Sequence, residues 1–230
     1  MKRITIHQPQ YIPWVPYFDK ILQCDEFVFL DDVQFQKNGL HNRNQIKGPQ
    51  GAQWLTVPVK HKFGQLICET RIADKRELSK HLKTLEMNYK KAARFDEIFT
   101  LIKDSYETVS DNLSDFCCEL IMRFLDYLGY GGKIVKSSIL GVSGKASDLV
   151  LNICCARQAD IYLSGQGGKG YLELEKFEAG GICVEFQNYQ SQPYRQCFPN
   201  VGFCKDLSII DLLFNEGKNS LSIIDKGRVA

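Results

Sequence analysis

Three groups of polar residues follow short apolar runs: His7-Gln8, then Asp31-Asp32 with Gln34, then Ser164-Gly165-Gln166-Gly167-Gly168-Lys169-Gly170. An imidazole such as His7 can act as general acid or base near neutral pH, or donate to a phosphate. Its plain alternative is a structural histidine bonded to a turn carbonyl. A carboxylate such as Asp31 can serve as base, bind a sugar hydroxyl or hold Mg²⁺ on a phosphate; otherwise it caps a turn. His41-Asn42-Arg43-Asn44-Gln45 is dense in hydrogen-bonding groups, and Arg43 offers a planar fork for phosphate or carboxylate. Tyr11 and Trp14 are candidates to stack on a base or sugar, against the alternative that they fill the core.

The loop at 164–170 has three readings. Gly165-x-Gly167-x-x-Gly170 fits the dinucleotide fingerprint, and Glu185 stands twenty positions after Gly165, where a ribose-binding acid belongs. Against it, the unit lies late in the chain, its helix is short and Lys169 sits inside the turn. An anion cradle is favoured instead, with the backbone of Gly167 and Gly168 and the Lys169 ammonium facing a phosphate or carboxylate. A tight turn without a ligand is the third. No nicotinamide cofactor is expected.

These groups need elements to hold them. Arg3 to His7 and Phe27 to Leu30 read as strands, the second buried on both faces. Three prolines at 9, 13 and 16 delay a helix that runs from about Pro16 to Cys24. Trp54 to Val59 is a strand at an edge, because of Pro58. Helical spacing covers 77–88, 95–109 and 112–128. Ile134 to Ser137, Asp160 to Ser164 and Ile182 to Phe186 read as strands, and 146–157, 171–178 and 207–214 as helices, the last being final. The stretch 190–206 is a long loop of the kind that often carries function. The expected fold is α/β, a predominantly parallel or mixed sheet with flanking helices and a helical insertion or subdomain at about 75–130, in one domain spanning 1–230. Ligands of such sheets bind outside the carboxyl ends of the strands, so the three polar groups are expected to share one rim.

Composition narrows the function. Lys and Arg total 29 against 27 Asp and Glu, a net charge of +2, which supplies no basic surface for nucleic acid. The nine cysteines contain no C-x-x-C pair and the four histidines lie near no zinc-type spacing, so no metal cage is expected. Unpaired thiols in this number, with no signal-peptide pattern and no apolar run of membrane-spanning length, point to a soluble cytoplasmic protein with reduced cysteines. No G-x-S-x-G elbow, Walker A loop or H-E-x-x-H is present, and no motif requires a cofactor.

The opening His7-Gln8-Pro9-Gln10-Tyr11-Ile12-Pro13-Trp14, with Tyr17-Phe18-Asp19-Lys20-Ile21, resembles that of the WbqC-like family. Asp25-x-Phe27-Val28-x-Leu30-Asp31-x-Val33-Gln34-Phe35, Asn42-Arg43-Asn44-x-Ile46 and Trp54 to Val59 continue the likeness, as do Tyr162-Leu163-Ser164-Gly165, Lys169-x-Tyr171-Leu172, Tyr194-x-Gln196 and Leu207 to Phe214. It covers nearly the whole chain; Pro16 departs from it, standing where glycine is expected. The resemblance implies a bacterial O-antigen or surface-polysaccharide setting and an activated sugar as substrate, and carries over no catalytic assignment. On that basis the expected protein is a transferase that modifies a nucleotide-activated sugar by acyl or aminoacyl transfer. His7 would be acid/base with Asp31 assisting, Arg43 and Lys169 would hold phosphate, and Asn42, Asn44 and Gln34 would orient the sugar or acyl group. Gln8, Tyr11, Trp14, Ser164, Gly167 and Gly168 complete the candidate site. The alternatives are a non-catalytic module that binds a sugar nucleotide or a partner, and a nucleotidyltransferase-like enzyme, suggested by the strand–His-x-Pro–helix opening at the level of pattern alone.

Overall fold

The computed structural model describes residues 1–229. Along the chain run β1 (Arg3–His7), α1 (Val15–Leu22), β2 (Glu26–Phe29), β3 (Arg43–Gly48), β4 (Gly51–Thr56), β5 (Val59–Lys60) and β6 (Arg71–Ile72). Three helices follow: α2 (Arg76–Tyr89), α3 (Phe95–Glu107) and α4 (Leu113–Tyr127). Then come β7 (Lys133–Lys136), α5 (Ala146–Ala156), β8 (Ile161–Ser164), α6 (Leu174–Ala179), β9 (Cys183–Phe186), α7 (Ile209–Glu216) and α8 (Ser220–Lys226).

Five strands form one parallel sheet in the order β7-β2-β1-β8-β9. The chain builds outward from β1 through β2 to β7, then crosses to β8 and β9 on the other side. The order therefore reverses between β1 and β8, and a crevice opens at the carboxyl ends of that pair.

Strand alternation sends successive residues to opposite faces. Phe27 and Phe29 enter a large core with Phe18 and Ile21 of α1, Phe116 and Phe124 of α4, and Leu213 of α7. Ile4, Ile6 and Val28 enter a smaller one with Val150 and Ile153 of α5 and Phe177 of α6. The helices α2 to α4 extend the larger core through Leu85, Ile98 and Ile102.

Several elements differ from the sequence expectation. The polar stretch after His41, to which no element is assigned from sequence, becomes β3 from Arg43, antiparallel to β4, with Arg43 opposite Thr56 and Gly48 opposite Gly51. Trp54 to Val59 is two strands, because Pro58 has no N–H to give a ladder and separates β4 from β5. The glycine-rich segment closes into a 3-10 turn at Gln166–Gly170, which leaves α6 only Leu174–Ala179. The helix expected from Leu207 starts at Ile209, capped by the Ser208 hydroxyl accepting from the Ile210 N–H at 3.3 Å, and α8 still follows it. Pro16 stands in the first turn of α1, where its missing N–H costs nothing. All nine cysteines are unpaired.

Candidate functional site

The crevice at the switch point is lined from both sides. Two adjoining cavities of about 320 and 300 Å³ share His7, Lys20, Gly165 and Gly167. Trp14, Pro16, Tyr17 and Gln187 wall the first, together with Tyr189, Ser191 and Asp206 from the ends of the long loop. Gln8, Leu30, Ser164, Gly168 and Tyr171 wall the second.

His7 ends β1 and is fixed by its neighbours. Its Nδ1 lies 3.2 Å from the Gln8 carbonyl, and Tyr17 Oη donates to the same oxygen at 3.1 Å. A carbonyl only accepts, so Nδ1 carries the proton and the Nε2 lone pair is left without a partner among the described residues. The Tyr17 ring meets the imidazole edge to face at 4.6 Å between centroids. Burial, then the neighbouring Lys20 charge, pushes the imidazole pKa down to about 3, so His7 is neutral at pH 7 in this environment.

Lys20, on α1, is the residue that sequence reasoning passed over. It is 2% exposed, and its ammonium donates to the Ile6 carbonyl at 3.2 Å. No carboxylate of the described residues lies within ion-pairing distance of it. Adjacent Asp19 accepts instead from Arg228 Nε at 2.7 Å and Gln187 Nε2 at 2.6 Å. Burial lowers the Lys20 pKa to about 8. A buried cation without a counter-charge is costly, and here it borders an open cavity. No sequence signal marks it: only the packing, in which every residue from Val15 to Ile21 is buried, shows that α1 has no wet face for a lysine to occupy.

The glycine turn comes close to this pair. A Cβ on Gly168 would lie 2.1 Å from Ser164 Oγ, whereas Gly165 and Gly167 face open space. The Gly168 N–H is already given to the Gly165 carbonyl at 3.0 Å, so that amide does not serve the expected cradle. Ser164, 2% exposed, donates its hydroxyl to the Gly165 carbonyl at 3.1 Å. Lys169 is exposed and holds its ammonium 5.4 Å from the centre of the Phe186 ring; it lines neither cavity.

Of the expected site, the crevice gathers His7, Gln8, Trp14, Ser164, Gly167 and Gly168. The others are placed elsewhere, each for a physical reason. Tyr11 is fully buried, its hydroxyl bonded to Tyr106 and, at 2.8 Å, to His81 Nδ1, so it has no face for stacking. Asp31 is 1% exposed and accepts from the Ser138 N–H at 3.0 Å, the Ser138 hydroxyl at 2.9 Å and the Ser137 hydroxyl at 3.3 Å. Gln34 is exposed and bridges to Leu66. Asn42 Nδ2 donates to the Val57 carbonyl at 2.8 Å, which ties β3 to the end of β4. Asn44 Nδ2 donates to the Ile12 carbonyl at 2.9 Å and pins the proline-rich segment. Arg43 stacks on Trp54 at 4.5 Å and donates to the Asn38 carbonyl. Gln8 reaches the rim but gives its side-chain oxygen to His41 Nε2 at 2.9 Å. The described residues contain no group of three or more His, Cys, Asp or Glu that could hold a metal ion.

The chain matches the profile of the WbqC-like protein family over residues 8–223. It is 37% identical over 221 residues to "Uncharacterized protein Rv1507c" of Mycobacterium tuberculosis (strain ATCC 25618 / H37Rv), covering 94% of this chain and 95% of that protein. No solved structure matches it. With a profile match running from the turn after β1 into α8, and a relative aligned over nearly its full length, the chain belongs to the WbqC-like protein family.

Proposed function

We propose that the protein is a cytoplasmic transferase of bacterial O-antigen or surface-polysaccharide biosynthesis, and that it modifies a nucleotide-activated sugar at the crevice between β1 and β8. One observation carries this reading: Lys20 is a buried ammonium without a carboxylate partner, beside His7, at the switch point of a parallel sheet. A phosphate of the ligand supplies the missing charge. Gly165 and Gly167 leave room for its approach, and Trp14 offers an aromatic wall. Phosphate binding passes from Arg43 and Lys169 to Lys20, and Asp31 keeps no part in the chemistry because its oxygens are taken.

His7 is the acid/base group. With burial and the Lys20 charge acting alone it is too weak a base to take a proton efficiently at neutral pH. A bound phosphate adds negative charge next to it and raises its pKa, which matches base strength to an occupied site. Nε2 then accepts the proton of the attacking amine or hydroxyl, while the Gln8 carbonyl holds Nδ1–H and fixes the tautomer.

Calorimetry and turnover against a panel of nucleotide-sugars and acyl donors test this. Lys20→Met should weaken nucleotide-sugar binding about 10- to 150-fold, the worth of one charge-assisted contact. His7→Ala should lower turnover by about 100-fold or more with a smaller effect on binding. No binding by any member of the panel refutes the ligand class. The low pKa of His7 favours a second reading, a binding module without catalysis; there, His7→Ala changes affinity alone. A nucleotidyltransferase would instead release pyrophosphate from a nucleoside triphosphate.

A further inference from the structure

A second cavity lies away from the crevice. It occupies about 700 Å³ between the last turn of α2, the segment after it and residues 195–200 of the long loop. That volume is in the range of sites for small organic ligands. Its charged side chains are Lys90, Lys91 and Arg195, all exposed, and no carboxylate lines it. Met87 and Phe198 add apolar surface.

Two further observations point to a ligand. Asn88, on the wall, is 9% exposed, and its Nδ2 is enclosed without a hydrogen-bond partner among the described residues. Buried donors are almost always paired, so an unpartnered one in the wall of a cavity is an exception that an acceptor on a ligand would remove. Phe198 holds a φ of 56°, a left-handed conformation that bulky residues rarely adopt and that clusters at ligand clamps. The loop is firm enough to keep it. Gln196 Oε1 accepts from Lys47 Nζ at 3.0 Å and from the Cys204 N–H at 2.9 Å, and Gln196 Nε2 donates to the Cys204 carbonyl at 3.0 Å.

We propose that this cavity is a second ligand site that takes a phosphorylated organic molecule of nucleotide size, with its phosphates on Lys90, Lys91 and Arg195, an acceptor atom on Asn88 and its organic part against Met87 and Phe198. Three cations without a lining carboxylate select an anion. The apolar wall selects more than inorganic phosphate.

ADP and pyrophosphate serve as probes, titrated by calorimetry into the full chain carrying Lys20→Met, which removes the crevice ammonium. One ADP should still bind. Adding Lys91→Ala and Arg195→Ala, both exposed and therefore safe for folding, should weaken ADP at least 10-fold with an unchanged melting temperature. Asn88→Ser in the same background should weaken it about 5-fold. ADP should bind at least 10-fold more tightly than pyrophosphate. ADP binding that vanishes with Lys20→Met alone, or that is indifferent to the two alanines, overturns the site. Equal affinity for ADP and pyrophosphate overturns the organic part of the ligand. Because the crevice variant is the background, failure here leaves the crevice proposal untouched, and failure at the crevice leaves this one.

Discussion

Asp31 and Lys20 are both buried charges, 1% and 2% exposed, and both stand near the carboxyl edge of the same sheet. Around Asp31 the chain supplies two hydroxyls and a backbone N–H. Around Lys20 it supplies one carbonyl. Asn44, His41 and Tyr11 belong with Asp31: each side chain is bonded to backbone or to another buried group and holds one segment on another. His7 belongs with Lys20, with one nitrogen used and one free. Residue type does not separate structure from function here. What separates them is whether the hydrogen-bonding and charge requirements of a group are met by the protein itself. The two unmet groups of this comparison, His7 and Lys20, lie together at the switch point, where the fold leaves space.

Acid should have the largest effect, because it acts on buried neutral imidazoles in both regions. Burial lowers His41 and His81 to about 4 each, and burial with the Lys20 charge lowers His7 to about 3. Each folded value lies below the unfolded 6.5, so the unfolded chain binds more protons below pH 6.5 and stability is lost as pH falls through that window. Each histidine contributes about 2 kcal/mol of loss between pH 7 and pH 5 by this linkage. Urea midpoints across that range check it, and a flat profile from pH 7 to 5 would show that these imidazoles are not buried neutral. Next in size, Asp31→Ala strips a buried group of three charge-assisted partners and should cost about 3–5 kcal/mol, with ligand affinity at the crevice kept. Loss of affinity without loss of stability would move Asp31 to the functional side.

Lys20→Met should do the reverse. Lowering the Lys20 pKa from 10.5 to about 8 represents roughly 3 kcal/mol of desolvation carried by the folded state below pH 8. Replacement by an apolar side chain of similar length removes it and forgoes one hydrogen bond worth about 1–2 kcal/mol. The variant should therefore be about 1–2 kcal/mol more stable at pH 7 while losing ligand affinity. The gain should fade as pH rises above 8, where Lys20 discharges in the wild type. A destabilised variant would mean that the ammonium has a partner within the protein.

Much of the sheet is legible in the sequence because its strands are apolar runs between helical repeats, and His7 and Ser164 mark the ends of two of them. The β3–β4 hairpin is not, since Asn42-Arg43-Asn44-Gln45 shows no apolar alternation; Asn44 and Lys47 are buried through polar partners that only the fold supplies. Polar groups after β1 and β8 line the crevice, whereas Asp31, Asn42 and Asn44 look the same in sequence and are bonded internally. Lys20 is hidden by the opposite error: a lysine on a helix reads as solvated, and only the packing of α1 between the sheet and α7 and α8 shows that it is not.

The smallest expected effect is also the most specific to the crevice. Lys20 with a pKa of about 8 is about half protonated at pH 8 and mostly protonated at pH 7. An anion seated on it favours the charged form and moves the pKa back up. Binding should therefore draw about half a proton from buffer at pH 8 and about a tenth at pH 7, with His7 adding uptake if its own pKa rises into that range. Calorimetry with a nucleotide-sugar in two buffers of different ionisation enthalpy measures this as a difference in apparent binding heat. A satisfied region has no such response, because its groups already hold the partners that set their protonation. Uptake at pH 8 that persists in Lys20→Met would assign the proton to His7 instead. No uptake at pH 8 in the wild type would mean that the anion does not meet the ammonium, and the contrast between Asp31 and Lys20 would lose its functional half.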